Sequence, residues 1–123
     1  MDDLRTLGIR YLLEQVKDTI AKGSANHRSW VLVRREENMH CMAELGLTFR
    51  CLEDVLLQHS VADYCEGPLP DRDMPGELWV FGKEVEGKEV YIKIKLAGSG
   101  TSRVVRIISF HLARESLFYP YRS

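Results

Sequence analysis

The sequence predicts an α+β fold in which an antiparallel sheet carries helices on one face, and three patterns support this. From Glu89 to Leu96 the residues alternate strictly. Val90, Ile92, Ile94 and Leu96 take one side and Tyr91, Lys93 and Lys95 the other, the period of a half-buried strand. On either side lie two more strand-like runs. Leu78 to Phe81 is closed by Gly82, Arg103 to His111 is rich in Val and Ile, and Glu86-Gly87 and Gly98 to Ser102 supply the turns of a three-stranded meander. The first sixty residues instead repeat apolar side chains at three- and four-residue steps, which is helical spacing.

In chain order, Leu4, Leu7, Tyr11, Leu13, Val16 and Ile20 outline an amphipathic first helix, with Asp18 and Lys22 as an exposed i, i+4 pair and Gly23 as the stop. After Ser24 to Asn26, the stretch His27 to Val33 reads equally as a short strand or as the opening of the next helix. Arg34 to Leu45 reads as a second helix closed by Gly46. Thr48 is the N-cap of a third, with Leu47 and Leu52 at the spacing of a hydrophobic staple and Leu52, Val55 and Leu56 facing inward. Val61 to Cys65 has the composition of a short edge strand. Gly67 to Gly76 holds three of the 4 prolines and reads as a long loop, either a connector or a binding loop. The tail Leu117-Phe118-Tyr119-Pro120-Tyr121 is too aromatic for a solvated end and is expected to fold back on the body.

A chain of 123 residues with 45% hydrophobic content suits a single domain over its whole length. Residues 2 to 20 carry Asp2, Asp3, Glu14, Lys17 and Asp18, unlike a signal peptide, and no apolar run approaches a membrane span. A cytoplasmic protein with no membrane partner is therefore expected, its 3 cysteines free thiols. Cys41 and Cys51 fit as small apolar residues on helix faces. The net charge of −1 conceals an asymmetry: residues 1–82 sum to −5 and residues 83–123 to +4. A basic C-terminal third suggests a local anionic partner, although strands also show Lys and Arg on their wet face for solubility alone.

Phosphate loops, nucleophile elbows, zinc-protease helices and paired Cys-x-x-Cys ligands are all missing. His40, Cys41, Cys51, His59 and Cys65 lack the ligand spacing of structural zinc, so neither metal nor cofactor is expected. That leaves the sheet. Tyr91 and Lys93 stand on one strand face with Cα atoms about 7 Å apart, a span that grips one phosphate and its neighbour. If paired residue numbers sum to an even value, Ser109 and His111 join that face; an odd sum brings Arg106 there instead.

Several stretches together resemble a known family. Glu44-Leu45-Gly46-Leu47-x-Phe49, a helix, the Trp79 strand, Val90-Tyr91-Ile92-Lys93-Ile94 and Ile108-Ser109-Phe110 are similar to the MqsR-type toxins of bacterial toxin–antitoxin modules, over roughly Glu44 to His111. Gly67-Pro68-Leu69-Pro70-Asp71, Trp79-Val80-Phe81-Gly82-Lys83 and Ser109-Phe110-His111 also resemble a related group of small proteins often encoded beside a zinc-ribbon antitoxin. The resemblance implies a RelE-like twisted antiparallel sheet and a metal-free endoribonuclease acting on mRNA, in some cases on the ribosome, held inactive by a cognate antitoxin.

Carried over by position, Tyr91 matches a tyrosine of the toxin site and His111 falls where the toxin has a lysine. Two expected polar positions differ, with Glu66 in place of a lysine and Val80 in place of a glutamine. On this reading Tyr91 and His111 are catalytic and handle protons, while Lys83, Lys93 and Arg106 bind the substrate phosphate. The alternative is a catalytically degenerate domain that keeps the fold to bind protein or RNA.

Overall fold

The computed structural model describes residues 4–23 and 28–122. The stretch Ser24 to His27, like Asp2 and Asp3, lies outside the described residues. Helix α1 (Leu4–Ala21) leads to a short strand β1 (Trp30–Leu32), then to α2 (Glu36–Leu45) and α3 (Phe49–Leu57). Strands β2 (Tyr64–Pro70), β3 (Glu77–Val85), β4 (Lys88–Ala97) and β5 (Val104–Leu112) follow. The five strands form one open sheet in the order β1-β5-β4-β3-β2, antiparallel throughout except that β1 runs parallel to β5. Trp30–Leu32 is thus resolved in favour of the strand.

The three-stranded meander forms as its alternation requires. Glu86 and Gly87 both take positive φ (52 and 78) in the two-residue β3–β4 turn, which matches the twist of the flanking strands. Phe81, Val90, Ile92, Ile94, Val105, Ile107 and Phe110 point to one face, and Leu12, Leu13, Val16, Cys41, Met42, Leu52 and Leu56 of the helices cover it. Thr48 caps α3 by accepting the Cys51 N–H at 3.2 Å, and Gly46 closes α2 in the left-handed conformation (φ 67).

Four expectations are corrected. The buried stripe of α1 is Ile9, Leu12, Leu13, Val16 and Ile20, whereas Leu4, Leu7 and Tyr11 are exposed. Apolar residues cover more than one side of this helix, and only the sheet decides which side is used. Gly67 to Pro70 is strand rather than loop, and Val61–Asp63 is a turn of 3-10 helix preceding it. Proline is tolerated there because β2 is an edge strand whose register slips twice against β3, so the missing N–H groups cost no inner ladder bond. Cys51 is exposed on α3, unlike the buried Cys41. Lys95 is not a solvated strand charge: it is 3% exposed and donates to Asp71 Oδ2 at 2.7 Å and to the Pro75 carbonyl at 2.9 Å. Those bonds pin the β2–β3 loop against the sheet, and the Lys95 ammonium, with the Asp73 and Met74 N–H groups, holds the Asp71 carboxyl down to about pKa 2.

Candidate functional site

The register of β4 against β5 decides which side chains meet on the face away from the helices. Tyr91 pairs with His111 and Lys93 with Ser109, the even-sum register, but beyond a β-bulge Ile94 pairs with Ile107 and Lys95 with Arg106, the odd-sum one. The two alternatives left open by the sequence are both used. Ile108 is the extra residue, and it and Ser109 both line hollows of the open face. Ser109, His111 and Arg106 thereby share that face with Tyr91 and Lys93.

Asn38 of α2 holds the bulge in place. This fully buried side chain donates to the carbonyls of Val33 (3.0 Å) and Ile108 (3.1 Å) and accepts the Phe110 N–H at 2.9 Å. β1 pairs only as far as Ile107, so the carboxamide takes over where the parallel ladder ends. The sequence signal for this is slight: Asn38 stands in the first turn of α2, and a buried carboxamide there needs backbone partners.

Tyr91 and His111 are stacked, with ring centroids 5.1 Å apart and an interplanar angle of 17°. His111 Nδ1 lies 3.0 Å from the Leu112 carbonyl oxygen, an acceptor, so this nitrogen carries the proton. Nε2 faces Glu37 Oε2 at 3.9 Å, and the same oxygen accepts from Arg114 at 2.7 Å. Burial, then the charges of Glu66 and Cys65, raise the Tyr91 pKa, so the phenol keeps its proton at neutral pH.

These groups line a cleft of ≈ 660 Å3, with Arg35 and Arg114 on one wall and Glu66, Val80 and Lys93 on its floor. A second hollow of ≈ 500 Å3 adjoins it through Arg35 and Lys93 and adds Arg72 and Arg106. Four of the five expected site residues are therefore brought to one face. Lys83 is not: it pairs with Val90 on the helix-covered face, and its Nζ is held by Asp63 Oδ2 at 3.2 Å. Reaching the cleft would require crossing the sheet. Arg35, Arg114 and Glu37 enter the site only through tertiary contact, because they belong to the start of α2 and the chain after β5.

Glu66 sits in the same cross-strand row as Lys93 but two strands away, with Val80 between them. At about 10 Å its repulsion of a phosphate on Lys93 is roughly 0.4 kcal/mol in water and about 2 kcal/mol at an effective dielectric of 20. That weakens anion binding without abolishing it.

The chain after β5 forms the remaining wall. Leu117 N–H and Tyr119 O–H donate to the two Glu89 oxygens at 3.1 and 2.8 Å, and Tyr121 packs against Tyr64 with centroids 5.8 Å apart and planes tilted by 41°. This strap lies over Gly82, where any Cβ would sit 2.6 Å from Leu117 Cδ1 and 2.9 Å from Tyr119 Cε1. Glycine is needed there for space, not for backbone conformation.

No protein-family model matches the chain, and no curated protein or solved structure is significantly similar to it. Among the described residues no helix is long and apolar enough to cross a membrane, and no three His, Cys, Asp or Glu side chains cluster to hold a metal ion. The chemistry available is that of an imidazole, a protonated phenol stacked on it, and cations on both sides.

Proposed function

We propose that this protein is a metal-independent endoribonuclease, the toxin component of a type II toxin–antitoxin module with a RelE-like fold, cleaving mRNA by acid–base catalysis. The observation that carries the reading is the stacked Tyr91–His111 pair, next to Lys93 and between Arg35, Arg106 and Arg114. His111 Nε2 takes the proton of a ribose 2′-hydroxyl as its oxygen attacks the adjacent phosphorus. Lys93 and Arg35 balance the charge gathering on the phosphorane. The bond from phosphorus to the 5′-oxygen breaks, and the Tyr91 phenol protonates that leaving oxygen. The products are a 2′,3′-cyclic phosphate and a 5′-hydroxyl, and proton return from His111 to Tyr91 through water restores the site. A cognate antitoxin, of the zinc-ribbon kind in related modules, would silence the enzyme by covering this face.

The test is incubation of the purified protein with end-labelled single-stranded RNA in EDTA, alone and on translating ribosomes, with analysis of the product ends. Cyclic phosphate ends are expected, with cleavage reduced by roughly two to four orders of magnitude in His111→Ala. Cleavage of equal rate in Tyr91→Phe/His111→Ala would overturn the assignment.

A second reading, a degenerate binding module, is favoured by one feature: Glu66 and Val80 stand in the Lys93 row where the resemblance expects a lysine and a glutamine. RNA or protein binding without cleavage in either arm would select it.

A further inference from the structure

The strap alternates strictly, with Leu117, Tyr119 and Tyr121 turned toward the body and Phe118 and Pro120 turned out. Phe118 is 78% exposed, yet it borders the cleft that also holds Tyr91, Lys93 and His111. Single exposed apolar residues are ordinary on protein surfaces. This one is different in how it is held. Both of its neighbours are fastened to one carboxylate, Leu117 through its N–H and Tyr119 through its hydroxyl. Farther on, the Arg122 guanidinium lies 3.7 Å over the Tyr119 ring and pairs with Asp63 at 3.3 Å. The backbone carrying Phe118 is thus ordered before any ligand arrives, which lowers the entropic cost of using its ring.

We propose that Phe118 is a stacking platform for an unpaired nucleobase beside the Tyr91–His111 pair, so that the cleft selects single-stranded over duplex RNA. The inference rests on the ribonuclease reading for the identity of the ligand, and it deepens that reading by naming the strand form. A free aromatic face accepts any base that is not already stacked in a helix, whereas the bases of a duplex have both faces covered. Arg35 on the cleft wall and Lys93 on its floor then hold the phosphate between this base and the next.

The probe is a 5′-fluorescein-labelled 2′-O-methyl oligonucleotide of mixed sequence, which cannot be cut through its 2′-oxygen, tested by anisotropy as a single strand and as a duplex with its complement. Wild type is expected to prefer the single strand. Phe118→Ala should weaken that binding by roughly tenfold and leave the duplex unaffected. Phe118→Trp should restore binding, with indole emission quenched by the stacked base, and Phe118→Leu should not. Wild-type affinity in Phe118→Ala, full rescue by Leu, or no binding of the single strand by wild type would overturn the platform. The cleavage assay reports separately on catalysis: single-strand binding that depends on Phe118 without any cleavage would leave the platform standing and sink the nuclease.

Discussion

Replacing Asn38 by alanine removes three hydrogen bonds that together fix the β5 bulge, and the consequences are calculable. The Phe110 N–H is buried, so leaving it without an acceptor costs about 1 to 3 kcal/mol, and the partly buried carbonyls of Val33 and Ile108 each lose about 0.5 to 1.5 kcal/mol. A sum of roughly 2 to 6 kcal/mol is a large part of the stability of a domain this size. Urea unfolding followed by circular dichroism measures it directly, through a lower midpoint at unchanged slope.

The same substitution should disturb the site without touching it. With the bulge free to slip, one-residue register changes would turn Ser109 and His111 away from Tyr91, because side chains on a strand alternate between faces. The ring-current displacement of the His111 proton resonances by Tyr91 should then shrink. A loss below about 1 kcal/mol with His111 resonances unmoved would refute the argument that the carboxamide holds the register.

Two further predictions follow from the packing. His59 is 1% exposed, its Nδ1 is bonded to the Val55 carbonyl at 2.7 Å and its ring meets Phe81 edge-on, so burial pushes its pKa from 6.5 down to about 4. The unfolded chain binds the proton more readily, so this contribution is complete above pH 6.5 and is lost as pH falls toward 4. Between about pH 7 and about pH 5 the wild type should lose roughly 2 kcal/mol that His59→Leu does not, measured by urea unfolding at each pH; parallel curves would exclude the mechanism. Gly82→Ala should cost about 1 to 3 kcal/mol and lift the strap off the sheet. Trypsin should then cut faster after the exposed Arg114, and an unchanged cleavage rate would show that the strap is not seated on Gly82.

Much of this architecture is dictated locally. The alternation around Tyr91 fixes a half-buried strand whatever lies beside it, because side chains on a strand point to opposite faces in turn. Glu86-Gly87 and the Thr48 cap likewise act through the backbone of their own few residues. The pairing of Tyr91 with Lys93 on one face was legible for the same reason, as was the return of the aromatic tail to the body.

Contacts between distant segments decided the rest. Which side of α1 is buried depended on the sheet it meets, since Leu4 and Leu7 are as apolar as Leu12 and Leu13. A strand at the edge of a sheet could accept the prolines of β2, and only the strand order reveals that edge. Lys83 and Lys93 look alike in sequence, yet register puts one against Asp63 under the sheet and the other in the cleft. The bulge that unites Ser109, His111 and Arg106 on one face is held by an asparagine about seventy residues earlier in the chain. Periodicity within a strand is set by its own backbone, whereas register is set by whatever the neighbouring strand and the buried polar groups require.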